Sequence, residues 1–482
     1  MKLISYVRLL SIILAIIAIT MLFPFGVALY FHETVSVPAF LWPMVLCIVF
    51  AVVMTLVDRK NKIRLTTRGA FGFVAASWVV ACILGTVPYL LTGTIKSFTD
   101  AFFESCSGFS TTGFSIFEDV ESLPKSINVW RTLTHWLGGM GIIALTVALM
   151  PLLGVGGFQL IKAETTGPEK GKITPKITET SKILWFFYVG LTVLEAILLM
   201  VISKLGFIDA VCHAFSTMAT GGFSTKNDSI GGFHSASVEW ICIVFMFLAG
   251  VNFSLYYKIF TGKIKEIWEN SEFKIYCAII AFSVLGIVIF VLSYYHNFAD
   301  SIRNAFFHVL SFLTTTGFSS TFFPKWAPLA QLILFSMYFI GGCSGSTGGG
   351  FKVVRWIILD QQMKTEIKQM LHPHGVFTLQ LNGEVCRKEI TLTVAGFLFL
   401  YFLLVLITSV VAALAGSDIF SSFTVGLTIV GNVGCGFGDI MPGSNFGFFP
   451  AFAKWWFSFA MLAGRLELYT MIIFLYPSFW KK

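Results

Sequence analysis

Ser110-Thr111-Thr112-Gly113-Phe114-Ser115 is the stretch on which the fold of this 482-residue chain turns. Three versions of it follow: Ala219-Thr220-Gly221-Gly222-Phe223-Ser224, Thr314-Thr315-Thr316-Gly317-Phe318-Ser319 and Val433-Gly434-Cys435-Gly436-Phe437-Gly438. Aligned on the Gly-Phe pair, the shared glycines are Gly113, Gly222, Gly317 and Gly436, and the unit returns roughly every hundred residues. At one fixed distance upstream stand Asp100, Asp209, Asn304 and Phe423, each opening a short apolar segment. The first three read as N-capped helices of about ten residues. Such a helix spans about 15 Å, half the hydrocarbon core of a bilayer, so it enters the membrane without crossing it. The Thr/Gly-rich backbone that follows then lies at membrane depth, where unpaired carbonyls are tolerated only if they line a water-filled cavity or bind something positive. A single TTGF-type string is an ordinary turn; four in the same helix, loop, helix frame read as an ion filter around one axis.

Composition agrees. Hydrophobic residues make up 56% of the chain and charged residues 12%, with a mean hydropathy of +0.82, where a soluble domain carries about 25% charged residues. The reading is an all-α polytopic membrane protein. The formal net charge of +8 does not point to nucleic acid, because the basic residues sit in short segments between apolar runs, as the positive-inside bias predicts. Nine cysteines (Cys47, Cys82, Cys106, Cys212, Cys242, Cys277, Cys343, Cys386, Cys435) lie mostly within apolar runs without CxxC spacing. They read as small buried hydrophobes, not as a disulfide or metal framework.

Along the chain, the apolar run from about Leu3 to Tyr30 is too long for a signal-peptide core and lacks a small-x-small cleavage site, so it is expected to be a retained helix. A second run, about Phe40 to Val57, returns to Arg59-Lys60-Asn61-Lys62-Ile63-Arg64 and Arg68, which marks the cytoplasmic side. The expected division is a two-helix segment over 1–68 and four pore units over 69–180, 181–270, 271–385 and 386–482. Each unit has an outer helix (about 69–91, 181–203, 274–296 and 389–415), a re-entrant segment (100–118 in the first) and an inner helix (about 132–160, 238–260, 328–358 and 452–477). The connections expected on the inside are basic: Lys162, Lys170, Lys172, Lys176 and Lys182; Lys258, Lys263, Lys265 and Lys274; Lys352, Arg355, Lys364, Lys368, Arg387 and Lys388; Lys481 and Lys482. That topology gives ten crossings, both termini cytoplasmic and filter loops entering from outside. The inner helices share small residues at Leu137-Gly138-Gly139-Met140, Leu248-Ala249-Gly250-Val251, Ile340-Gly341-Gly342-Cys343 and Leu462-Ala463-Gly464-Arg465, which allow close helix approach or a wider cavity.

With these motifs the chain resembles the TrkH/TrkG branch of the Trk/Ktr/HKT superfamily of potassium-translocating membrane subunits, over nearly its whole length. The resemblance implies a potassium-channel-like fold whose four pore units are fused into one chain; the two leading helices match this branch better than the shorter KtrB subunits. It also implies a cell inner-membrane location, a cytosolic nucleotide-binding partner of the TrkA type on the basic inner surface, and a homodimer. The expected filter is Ser110, Thr111, Thr112 and Gly113; Ala219, Thr220, Gly221 and Gly222; Thr314, Thr315, Thr316 and Gly317; and Val433, Gly434, Cys435 and Gly436. Carbonyl dipoles there replace the hydration shell of potassium, with rubidium as a congener and sodium weaker, and no cofactor is needed. One glycine shared by all four copies, against the longer Gly-Tyr-Gly run of potassium channels, implies modest discrimination. Asp439 beyond the fourth loop and Glu118, Asp119 and Glu121 beyond the first either gather cations at the outer mouth or are ordinary solvated loop acids.

In unit three the inner helix is interrupted by Gly341-Gly342-Cys343-Ser344-Gly345-Ser346-Thr347-Gly348-Gly349-Gly350. Six glycines cost a helix on the order of 5 kcal/mol relative to alanine, so a loop inside the membrane is expected, lining the cavity below the filter; the resemblance makes it a gating loop. A phosphate-binding loop is excluded, since Gly348-Gly349-Gly350-Phe351-Lys352 lacks Gly-Lys-Ser/Thr. His372-Pro373-His374 has no acid or cysteine at ligand spacing and reads as a surface turn. Glu104 and Glu195 stand in apolar surroundings, either as functional groups or as hydrogen-bonded structural ones. Arg465, near the centre of the last inner helix, must face protein or water, and Glu467 two residues on is off its helix face. Carbonyls freed at Gly341–Gly350 are its expected acceptors, with a role in holding the plug shut. The leading expectation is gated potassium permeation. The alternatives are a proton- or sodium-coupled secondary transporter, and an intramembrane enzyme or phosphotransfer sensor, disfavoured because no nucleophile–base pair emerges and the fourfold repeat would go unexplained.

Overall fold

A computed structural model of the chain describes residues 3–59, 67–141, 177–375, 377–378, 380–382, 384–385 and 388–480. Among them, six helices are long and apolar enough to cross a bilayer, with mean hydropathies between 2.1 and 2.9. The leading pair comprises Leu3–Thr20 continued by Leu22–Tyr30, and Ser36–Val57. Arg8 Nη1 donates to the Asp58 carbonyl at 2.9 Å, tying the start of the first helix to the end of the second. The basic run 60–66, together with Lys162, Lys170, Lys172, Lys176, Cys386, Arg387, Lys481 and Lys482, lies outside the described residues.

Four outer helices follow, Thr67–Thr92, Ile177–Val201, Ser271–Tyr295 and Lys388–Leu414. At 25 to 27 residues each reaches nearly 40 Å, enough to cross with tilt. Large apolar side chains such as Phe282 and Leu392 stand three-quarters exposed on them. Such a face is stable against lipid, not water. A two-residue antiparallel pairing, Gln380–Leu381 with Glu384–Val385, is the only sheet among the described residues.

Each outer helix leads into a pore helix: Phe98–Phe109, Phe207–Met218, Phe298–Leu313 and Ile419–Gly431. The longest has 16 residues, about 24 Å, so all stop short of a bilayer's far side. They are enclosed by protein; every residue from Ala101 to Phe109 is buried. The expected N-caps differ. Asp100 and Asp209 sit inside the first turn, and Asn304 lies mid-helix. Asn297 caps the third pore helix by accepting from Ala299 N, and Asp418 caps the fourth.

The inner helices depart most from the sequence reading. They are Lys125–Gly139, Ala236–Gly250, Pro328–Ser336 with a 3-10 turn to Phe339, and Ala451–Arg465. The second and fourth are shorter than expected, and the third stops at the interruption expected of it. The second bends by 93° into Phe253–Phe260, the third opens into a loop over 340–352, and the fourth halts before a short helix Leu468–Ile472; residues 142–160 of the first lie outside the described residues. Among the described residues the second, third and fourth inner passages are built in pieces. The shared small residues let the first, second and fourth inner helices close on the ends of the pore helices. A methyl group on Gly138 would lie 1.9 Å from Phe109 O, one on Gly250 would lie 2.7 Å from Thr314 Cγ2, and one on Gly464 would lie 2.2 Å from Val430 O.

Candidate functional site: a glycine ring and the loop beneath it

The four loops after the pore helices meet in a closed ring. A Cβ added to Gly113 would lie 2.0 Å from Gly221 O; on Gly222, 2.4 Å from Thr316 O; on Gly317, 2.4 Å from Gly434 Cα; and on Gly434, 2.8 Å from Thr112 O. Each unit's glycine is pressed against the next unit's backbone in the order one, two, three, four, one. The fourth member is Gly434, not Gly436. Equivalent backbone hydrogen bonds fix this register: Thr112 N to Ser107 O, Gly221 N to Ser216 O, Thr316 N to Ser311 O and Val433 N to Thr428 O, at 2.8 to 3.0 Å. Left-handed backbone fixes it again, at Thr111, Thr220, Thr315 and Asn432, with φ of 55°, 53°, 63° and 55°.

Cys435 and Gly436 therefore leave the ring, and Gly431 and Asn432 join it. Gly436 N instead donates to Ile440 O within its own loop, Cys435 O accepts from Tyr338 Oη at 2.8 Å, and Phe437 packs on Phe323 at 5.1 Å. The Gly-Phe pair of unit four thus faces an aromatic cluster behind the ring, which is why aligning on it misplaces the unit by two residues. Asn432 was the missed residue. Its Nδ2 donates to Thr112 Oγ1 at 2.9 Å and to Met461 O at 3.0 Å, joining the fourth loop to the first loop and to the last inner helix. The signal for it was a Thr or Asn two residues before each ring glycine, since asparagine tolerates left-handed backbone better than most residues.

The pore-helix positions expected as caps instead staple the loop exits. Thr225 Oγ1 donates to Asp209 Oδ1 at 2.6 Å and Ser320 Oγ to Asn304 Oδ1 at 3.0 Å. In the corrected register Ser421 replaces Phe423, and its Oγ accepts from Asp439 N at 3.0 Å. Asp100 pairs with Lys454 at 2.7 Å. Above the ring opens a cleft of about 180 Å³ lined by the four glycines, Glu118 and Arg131 among others. Asp119 and Glu121 turn to the second loop's exit: Asn227 Nδ2 holds the Asp119 carboxyl below its usual range, and Lys226, 2.9 Å from Glu121, does the same there. Only Glu118 of that group borders the cleft, and Asp439 does not.

Directly beneath the ring lies the loop 340–352, non-helical as its glycines dictate. Gly349 N donates to Thr315 Oγ1 at 2.7 Å, and its Cα hydrogen faces Gly431 O, where a methyl would be at 2.6 Å. Cys343 N donates to Gly250 O at 2.9 Å and Thr347 Oγ1 to Ala249 O at 3.2 Å. Arg465 meets one acceptor in the stretch expected of it, Thr347 O at 2.7 Å from Nη1, while Nη2 reaches Gly138 O at 2.7 Å and Gly139 O at 2.8 Å at the end of the first inner helix, which was not expected. The loop and this arginine therefore touch all four units. Glu272 accepts from Ser344 N at 2.6 Å, Ser344 Oγ at 2.9 Å and Val354 N at 3.1 Å, pinning both flanks of the segment between the left-handed Gly345 and Gly350.

Two residues placed on a basic cytoplasmic connection by sequence are buried. Lys352, 2% exposed, donates to Gly348 O and Ser346 Oγ. Arg355 pairs with Glu467 and stacks 3.7 Å over Phe397. Glycine-driven folding of the loop carries both inward. His372 and His374 are exposed, and no cluster of His, Cys, Asp or Glu with metal-binding geometry occurs among the described residues. Glu195, on the outer helix of the second unit, is fully buried.

Half-length helices converging on one backbone ring inside a lipid-facing shell define a helical membrane protein of pseudo-fourfold, re-entrant pore architecture. Residues 36–482 match the sequence model of the TrkH family, described as "Cation transport protein", and the chain belongs to that family. It is 36% identical to the "Trk system potassium uptake protein TrkH" of Vibrio parahaemolyticus over 484 residues, 99% of each chain. It is 33% identical to the "Trk system potassium uptake protein TrkG" of Escherichia coli over 96% of each. The crystal structure of the potassium transporter TrkH from Vibrio parahaemolyticus superposes with a TM-score of 0.86 at 34% identity, covering 100% of both chains.

Proposed function

We propose that this chain conducts potassium across the cell membrane as the translocating subunit of a Trk-type uptake system, without catalytic turnover. The observation that carries the reading is the closed ring of four backbone loops. Left-handed residues at alternate positions, Thr111 and Gly113, Thr220 and Gly222, Thr315 and Gly317, turn successive carbonyls to one side, as dehydration of an alkali cation requires. The ring contains hydroxyl, amide and apolar side chains but no ionisable one, so permeation there needs no proton carrier. The proton- or sodium-coupled alternative lacks support at that point.

Loop 340–352 is the barrier below the filter and Arg465 its latch. The loop runs straight into the helix Val353–Leu371, which exposes Met363, Ile367, Met370 and Leu371 beside Lys364 and Lys368. That helix is the handle by which a cytosolic nucleotide-binding subunit of the TrkA type moves the plug. Four pore units over 69–180, 181–270, 271–385 and 386–482, an inner-membrane location, cytoplasmic termini and a homodimer complete the proposal. Rubidium uptake into proteoliposomes of the purified chain tests it: uptake is expected to follow the potassium gradient and to be insensitive to an imposed pH gradient. Uptake that requires the pH gradient contradicts it.

A further inference from the structure

Arg131 and Glu104 form an ion pair that nothing in the conduction pathway described so far uses. Arg131 lies in the first inner helix and Glu104 in the first pore helix; their side chains are 2% and 0% exposed, with Nε 2.9 Å from Oε1. Glu104 also accepts from Ser115 Oγ at 3.1 and 3.2 Å and from Ile116 N at 2.8 Å, gripping the chain just beyond Gly113. Arg131 Nη2 donates to the same Ser115 Oγ at 3.0 Å. On its other side Nη1 reaches Ser224 O at 3.4 Å, and the guanidinium lies 4.3 Å over the Phe223 ring. Ser115 and Ser224 each stand two residues past a ring glycine, in neighbouring units. Arg131 also borders the cleft above the ring.

Among the described residues the device occurs once. In unit two the residue equivalent to Glu104 is His213, whose Nε2 lies 2.9 Å from Ser224 Oγ. Unit three has His308 and unit four Val425 at that position, so the other loop exits are held without a charge pair of this kind among the described residues.

We infer that Arg131 and Glu104 are specificity-determining positioning residues: together they strut the exits of the first two filter loops at one separation, while Glu104 cancels a positive charge at the cation entrance. The inference rests on the filter reading. Ion preference in a carbonyl ring depends on the placement and field of its dipoles, and the strut fixes two of the four loops relative to one another. Breaking one side of a buried pair strands the other charge, whereas replacing both by apolar residues is often neutral for stability; the two roles are therefore separable.

The test is rubidium uptake with sodium competition in proteoliposomes of the purified full chain at matched incorporation. Glu104→Gln leaves Arg131 uncompensated beside the entrance and is expected to slow rubidium uptake about tenfold. The double variant Glu104→Met/Arg131→Met regains uptake relative to it but loses the strut, so sodium competes at about fivefold lower concentration. Ser115→Ala, which keeps the ion pair and removes the shared hydroxyl, shifts sodium competition the same way by about twofold and decides the matter if the double variant does not assemble. Parent-like sodium competition in the double variant and in Ser115→Ala, or parent-like uptake by Glu104→Gln, overturns the strut. The four ring Gly→Ser variants separate the two readings: if they shift sodium competition while the strut variants do not, only the strut falls, and if all four are silent the filter reading falls with it.

Discussion

Deleting Gly348, Gly349 and Gly350 is expected to raise rubidium flux through the purified chain, with no cytosolic partner present, by about 10- to 100-fold. The segment removed is the one in contact with the underside of the ring, at Thr314, Thr315 and Gly431. Glu272 pins Ser344 and Val354 on either side of it, so shortening the span pulls it away from the filter and not toward it. A gate must hold two arrangements whose balance a partner tips. If the open arrangement is about 1–10% populated at rest, removing the closed one gives the stated range. Tracer uptake by variant and parent, compared at equal protein density, checks it. A variant no faster than the parent means that the barrier lies elsewhere.

Arg465→Ala should also raise resting flux, by about tenfold, while leaving the order of ion preference unchanged. Its guanidinium donates to Thr347 O in the loop and to Gly138 O and Gly139 O where the first inner helix ends. Hydrogen bonds from a charged donor contribute about 1.5–3 kcal/mol each; losing even one net bond's worth from the closed state favours opening by about tenfold or more. Arginine at the last residue of its helix is itself favourable, since its charge meets the negative end of the helix dipole. Alanine removes the latch, and it also removes a positive charge from the path of a cation. Arg465→Lys keeps the charge but lacks the planar fork that reaches three carbonyls on two units, so its flux is expected between those of alanine and parent. Flux at or below the parent's in Arg465→Ala, at matched incorporation, removes the latch.

The sequence was most informative where one physical requirement acts alone. Outer helices need only length and greasiness, and 25-residue apolar runs declare both. Six glycines at Gly341–Gly350 forbid a helix, and the loop is there. Arg465 needed acceptors at depth, and the loop supplied one, Thr347 O, while the end of the first inner helix supplied two more. Legibility failed where two requirements compete. Inner helices such as Ala236–Gly250 carry enough apolar residues to continue, yet the chain bends by 93° just after Gly250, which packs against Tyr276 and Thr314. In unit four the Gly-Phe pair looked like the repeat's anchor, but the backbone follows the left-handed residue at the end of the pore helix, a demand met there by Asn432 instead of threonine. Arg355 read as surface charge because its partner Glu467 comes from a segment that folding alone brings near, and Lys352 because the loop that holds its acceptor, Gly348 O, turns it inward.

The central claim is that Gly113, Gly222, Gly317 and Gly434 form the selective ring, and sodium competition against rubidium uptake in the four Gly→Ser variants tests it most directly. A Cβ at any of them meets the next unit's backbone at 2.0 to 2.8 Å, contacts that no flexible side chain can relieve. At Gly113, Gly222 and Gly317 it also forces a φ of 78° to 90° on a residue that resists it. Each variant is expected to let sodium compete at about tenfold lower concentration than in the parent. Gly436→Ser, whose Cβ would meet only the movable Ile440 side chain and its own loop, is expected to compete like the parent. An unchanged preference in all four ring variants, or a shift in Gly436→Ser with none in Gly434→Ser, contradicts the account.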